Sequence, residues 1–172
     1  MRGVLNDKNK NIIDAMTQFV VEVLEERREE FSGLAVCPFV KADRVSDQLF
    51  LDVFDNRIDT LIDVILRFVR SNKRSALIAQ INEDIAGTET KSYQQFINMV
   101  IEESGNGDIK ALCFNPNDEL SVEGYNPRAR APYFLINMAY TNDLSKAHRS
   151  LKRSAYYDKM PDDYIKYLGV KK

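Results

Sequence analysis

Between two apolar runs, residues 111–114 and 133–138, the chain carries Asn115, Asn126, Arg128, Arg130 and Tyr133, side chains better suited to binding than to packing. Asn115 follows one apolar run directly and precedes Pro116, which places it where a strand would end. In open α/β sheets ligand groups collect there, outside the carboxyl ends of strands. Arg128 and Arg130 each offer a planar fork of donors that matches a carboxylate or a phosphate. Their two-residue spacing points both forks the same way only if the backbone is extended. With 24 basic residues against 26 acidic ones and a net charge of −2, no general basic excess accounts for them. The expected ligand at the loop 115–133 is therefore a small anionic metabolite. The competing reading is that both arginines pair with nearby carboxylates and stiffen the connection. Long connections without secondary structure are uncommon in compact domains unless they are used.

The second chemical candidate is the thiol of Cys37. Pro38 biases it away from the helical region, so an extended or turn geometry is expected. Lys41, four residues on, or Arg130 from the loop would lower the thiol pKa and favour the thiolate. Unmodified cysteine is also among the most buried residue types, so simple packing competes with that role. Any catalysis would have to draw its nucleophile or proton from Cys37 or Tyr133, since asparagine supplies neither.

Several chemistries lack a motif. There is no GxxxxGK[ST] phosphate loop, no GxGxxG after a strand, no HExxH and no GxSxG. The one histidine, His148, leaves no Cys/His cluster for zinc and no histidine-centred triad. No metal site is expected, and no cofactor is indicated. The basic stretch 146–153 has no aromatic interleaving, which argues for a solvated helix face and against nucleic acid.

The elements that would position these residues follow from periodicity. Ile12, Met16, Phe19, Val20, Val23 and Leu24 predict a long amphipathic helix over 11–31, stopped at Gly33. Residues 48–54 predict a first strand. Asp55-Asn56 reads as the cap of a helix starting near 57, with Ile58, Leu61, Ile62, Ile65, Phe68 and Val69 buried. The almost wholly apolar run 76–81 predicts a strand covered on one or both faces. Thr88 or Thr90 opens a helix ended by Gly105-Asn106-Gly107. Strands at 109–114 and 133–140, a helix capped by Thr141-Asn142-Asp143 and a short helix from Pro161 to Gly169 complete the order. Strands alternating with helices of this length predict an α/β layered domain with a mixed four-stranded sheet.

At 172 residues, 44% hydrophobic and 29% charged, the chain is expected to be one soluble domain over 1–172. Two cysteines, no secretory leader pattern and no long apolar run predict a cytoplasmic protein with no membrane span.

Three short motifs carry a resemblance: Cys37-Pro38-Phe39 with Lys41-Ala42, then Phe114-Asn115-Pro116, then Arg130-Ala131-Pro132-Tyr133 leading into a strand. In order and approximate spacing, from about Gly33 to Gly169, they resemble the bacterial domain of unknown function family 1415. That family's pattern is CPFAKA after a helix, then FHP, an acidic loop, and NRSPYP running into LHLL. The resemblance implies a shared fold and no activity. It draws attention to Cys37, Asn115, Arg130, Tyr133 and Asn137. Two departures stand out, because Asn115 and Asn137 occupy the places of the family's two histidines. Asparagine replaces one hydrogen bond of a neutral imidazole but does not titrate near neutral pH. Those losses favour the alternative to an enzyme, a non-catalytic interaction or regulatory domain, with self-association as one form of it.

Overall fold

A strand without charged side chains is stable only where both its faces are covered, and residues 75–81 have none. All seven are buried, at an inner position of a four-stranded sheet. The structure, a computed structural model, describes residues 7–170, so the expected domain span 1–172 runs past it at both ends. In chain order it forms α1 (Asp7–Phe19), a π-helical turn (Val20–Leu24), β1 (Arg27–Arg28), a 3₁₀ turn (Glu29–Phe31), β2 (Leu34–Ala35), α2 (Val40–Val45) and β3 (Leu49–Asp55). It continues with α3 (Leu61–Ser71), β4 (Ser75–Ile81), α4 (Thr90–Glu103), β5 (Ile109–Phe114), β6 (Phe134–Tyr140), α5 (Thr141–Leu151) and α6 (Asp162–Tyr167).

The main sheet is mixed, in the order β3-β4-β6-β5. β3 and β4 are parallel, and β6 runs antiparallel to both β4 and β5. Thus β3, β4 and β5 share one direction, and their carboxyl ends lie along one edge of the sheet. This is the α/β class that the alternating elements predict. Alternation within β4 divides the core. Leu77, Ala79 and Ile81 face α1, the π turn and the C-terminal segment, while Ala76 and Ile78 face Val64, Ile65 and Phe68 of α3 and Ile97 and Ile101 of α4.

Three local expectations change. The helix predicted over 11–31 ends at Phe19, and its apolar stripe passes into the wider π turn, where Val20, Val23 and Leu24 are buried. Beyond it the charged run leaves the helix. Arg28 stacks 3.7 Å from the centroid of the Tyr125 ring and bonds Glu26 and Glu30, and β1 pairs with β2. Ser32 and Gly33 both take positive φ, 56° and 77°, to reverse the chain between them. The second helix starts at Leu61 rather than near 57, because both oxygens of Asp55 are held by Arg57 and Asn56 bonds Glu83. Thr60 is the cap instead, in a reciprocal box with Asp63. The shift leaves Ile58 and Ile62, expected in the core, 81% and 47% exposed. The short α2 was not expected at all.

Loss of the Thr60 side chain removes the acceptor of the Asp63 amide, while the Thr60 backbone amide still donates to Asp63. Thr60→Ala is expected to lower stability by about 1 kcal/mol, read as a shift in urea midpoint with an unchanged slope.

Candidate functional site

The loop after β5 is braced by its own asparagines. Asn115 is 1% exposed, and its Nδ2 donates to the Ile85 carbonyl at 3.0 Å and to Thr90 Oγ1 at 2.8 Å. Its Oδ1 accepts from the Asn117 amide at 2.9 Å. Both amide hydrogens are therefore used within the fold. The same contact brings the loop so close to the turn before α4 that a Cβ at Gly87 would lie 2.3 Å from the Asn117 carbonyl oxygen. Asn126 caps a 3₁₀ turn (Pro127–Arg130) by accepting from the Arg128 amide at 3.1 Å, while its Nδ2 donates to the Asp118 carbonyl.

That turn decides the arginines. At about three residues per turn, positions two apart diverge instead of aligning. Arg128 goes inward and is completely buried. Its Nη2 donates to the Leu120 carbonyl, and Nη1 lies 3.7 Å from Asp118 Oδ2. The guanidinium carbon sits 4.9 Å from the Tyr164 ring centre and 4.5 Å from that of Tyr167. Nε and Nη1 make no hydrogen bond. Burial pushes the Tyr164 phenol up to about 12 against the opposing pull of Arg128, and Tyr167 is displaced further in the same direction. Both rings stay neutral and act as π faces for a charge inside the protein. Tyr167 also donates to the Cys113 carbonyl, so Arg128 pins α6 between the loop and β5. Arg130 points outward, and its Nη1 is 3.8 Å from Glu26 Oε2.

The other expected residues are dispersed. Cys37 follows β2 in a bend and is half-buried, its amide bonded to the Leu24 carbonyl at 2.8 Å. Burial pushes its thiol up, with the amides of Val40 and Phe39 opposing and Asp43 reinforcing the shift. This is the reverse of the depression expected from Lys41 or Arg130. Lys41 is exposed on α2. Asn137 lies inside β6 opposite Leu77 and Leu112, within the sheet and away from the loop.

A different polar group forms at the carboxyl end of β4, beside the start of β6. There a cleft of about 430 Å³ is lined by Lys8, Asn11 and Ile12 of α1, by Gln80 to Glu83, and by Tyr133 and Phe134. Tyr133 is the one expected site residue among these lining side chains. Gln80 is 2% exposed and sits between two partners, accepting from the Tyr93 hydroxyl at 2.8 Å and donating to Glu83 Oε2. Asn56 donates to the same oxygen at 3.2 Å. Burial pushes the Tyr93 phenol up to about 12, with its bond to Gln80 opposing and the charge of Glu83 adding. Asn82, at φ 64°, turns the chain out of β4. Asp55 next to it is held well below the usual carboxylate range by Arg57, so its charge is satisfied within the fold. Glu83 is thus a positioned acceptor, with Lys8 in the wall contributed by α1.

The signal for this cleft was present in the sequence. Gln80 is the only amide in an uncharged strand, and Asn82-Glu83-Asp84 follow at its carboxyl end, the position where α/β sheets gather ligand groups. Among the described residues no cluster of three or more His, Cys, Asp or Glu side chains is arranged to hold a metal ion, and no helix is long and apolar enough to cross a membrane. Comparison with protein-family models, curated proteins and solved structures finds no match.

Two outcomes test the loop and a third tests the thiol. Arg128→Ala is expected to cost about 3 kcal/mol or more, and Arg128→Met clearly less, because a thioether fills the space without a buried charge. Gly87→Ala is expected to cost about 1–3 kcal/mol, since backbone rather than a flexible side chain must give way. Alkylation of native Cys37 is expected to show a rate midpoint at higher pH than in the unfolded chain, and a midpoint below the unfolded one would overturn the packing role.

Proposed function

We propose that this chain is a small-molecule-binding domain that takes a polar metabolite in the cleft at the carboxyl end of β4. The ligand presents an amine or hydroxyl donor to Glu83, and any acidic group it carries faces Lys8. The observation that carries this reading is the chain Tyr93–Gln80–Glu83. It anchors a cleft carboxylate through a buried amide, so little ordering is left for the moment of binding. Pockets that bind small molecules combine an apolar lining with a few placed polar groups, and Ile12, Ile81, Phe134 and Tyr133 supply that lining here.

The anionic-ligand expectation rested on two guanidinium forks. Arg128 is committed to Tyr164, Tyr167 and Leu120, and Arg130 stands beside Glu26, so Lys8 is the cation left to meet an acidic group in the cleft. A thiol-dependent reaction would need a thiolate at Cys37, which its burial disfavours. The reading is therefore one of binding, with no catalytic step assigned. The resemblance to the family of unknown function brings no activity with it.

The test is a thermal-shift and calorimetric screen of amino acids, amino alcohols, polyamines and sugars against the native protein and Glu83→Gln. A hydrogen bond to a charged group contributes about 1.5–3 kcal/mol, so a true ligand is expected to bind Glu83→Gln at least about tenfold more weakly. Absence of any stabilising compound across the screen, or equal affinity for the two proteins, would turn the argument away from this cleft.

A further inference from the structure

We infer that the ligand of the β4 cleft is a free amino acid with an apolar side chain, held as a zwitterion between Glu83 and Lys8. The inference rests on the proposed reading of the cleft and narrows it from polar metabolites to one charge pattern. It starts from how Glu83 is held. Both amides that position it, Gln80 Nε2 and Asn56 Nδ2, donate to the same oxygen, Oε2. Among the described residues Oε1 accepts no hydrogen bond, and no cation of the fold pairs with this carboxylate. The group is therefore fixed through one oxygen and offers the other.

Lys8 lines the same cleft from α1, and among the described residues it is in no ion pair either. Lys8 and Glu83 are the two charged side chains of the lining. Other charges nearby in the chain do not change that balance. Asp55 pairs with Arg57, while Asp7, Lys10 and Asp84 lie outside the lining.

Two opposite charges on one cleft, not joined to each other, select a ligand by its charge distribution. A simple cation is attracted by Glu83 and repelled by Lys8, and a simple anion meets the reverse, so for either the two interactions oppose. A neutral sugar or alcohol leaves both charges without a counter-charge. A zwitterion gains from both, with its ammonium on Glu83 Oε1 and its carboxylate towards Lys8. Ile12, Ile81, Tyr133 and Phe134 then give the apolar surface against which an amino-acid side chain packs.

The experiment is calorimetric titration of the full chain with L-leucine, L-methionine and L-phenylalanine. Each is compared with its amide, which lacks the carboxylate, and with its des-amino acid, which lacks the ammonium. At least one of the three amino acids is expected to bind. Its des-amino acid is expected to bind about tenfold or more weakly, the loss of a hydrogen bond to a fixed carboxylate. Its amide is expected to bind about threefold or more weakly, a smaller loss because Lys8 is exposed and its pairing is screened. Lys8→Met is expected to weaken the amino acid about threefold or more while leaving the amide unchanged or tighter. Glu83→Gln is expected to weaken the amino acid about tenfold or more while leaving the des-amino acid unchanged or tighter. Melting temperatures equal to the parent's would show that both variants remain folded. Should Glu83→Gln disturb the fold through Gln80, the comparison of amino acid with amide in Lys8→Met decides alone. Glu83-dependent binding of a polyamine, amino alcohol or sugar without binding of any of the three amino acids, or amino-acid binding indifferent to Lys8→Met, would overturn the zwitterion and leave the cleft reading in place. Failure of every compound to bind, or amino-acid binding indifferent to Glu83→Gln, would overturn both.

Discussion

Two-sided burial of β4 is the constraint from which the rest of the structure follows. A strand covered on both faces needs apolar layers above and below it, and the chain supplies them from separate regions. The crossover helices α3 and α4 cover one face, and α1, the π turn and the C-terminal segment cover the other. The one amide inside that strand, Gln80, then has to find partners without water. It finds Tyr93 on one side and Glu83 on the other. A buried polar group that is fully bonded rigidifies its surroundings, and here the rigidified atom is a carboxylate at the mouth of a cleft. The cleft is thus a by-product of how the central strand is satisfied.

Arg128 shows how a charge can be used to hold a chain segment in place. A guanidinium is among the least hydrated of cations, and the faces of two tyrosines suit it better than apolar walls would. One carbonyl and a nearby carboxylate complete its surroundings, while Nε and Nη1 are left without hydrogen bonds. Incomplete pairing makes a buried ion a poor source of stability in its own right. Its effect is geometric, because α6 has to dock where Tyr164 and Tyr167 can stack on it. Asn115, Asn126 and the close pass at Gly87 hold the other side of the same loop. The long connection after β5 is used, but mainly to fasten the C-terminal helix to the sheet.

How much could be read from the sequence alone depended on the range of the forces involved. The four main strands fall within one residue of where composition placed them, because a predominantly apolar run between turn residues is a local signal. Their membership of an α/β mixed sheet follows equally directly from their alternation with helices. The cap of α3 lies a few residues beyond the expected one, although Asp55 and Asn56 are by type at least as good caps as Thr60. Arg57, two residues on, occupies Asp55, and the fold brings Glu83 to Asn56. Helical periodicity also continues unchanged through Val20–Leu24, so the passage from an α to a π turn leaves no mark on the pattern.

The site divides along the same line. That Asn115, Asn126, Arg128 and Tyr133 bring polar groups in need of partners is legible from their types and from the prolines between them. What each one does was decided by residues distant in sequence: Ile85 and Thr90 for Asn115, Tyr164 and Tyr167 for Arg128, Lys8 and Asn11 beside Tyr133. Sequence determines which side chains can donate, accept or carry charge, because that chemistry belongs to each residue. Whether a donor faces a ligand or a neighbouring carbonyl depends on which segments the sheet brings together, and only the tertiary structure decides that.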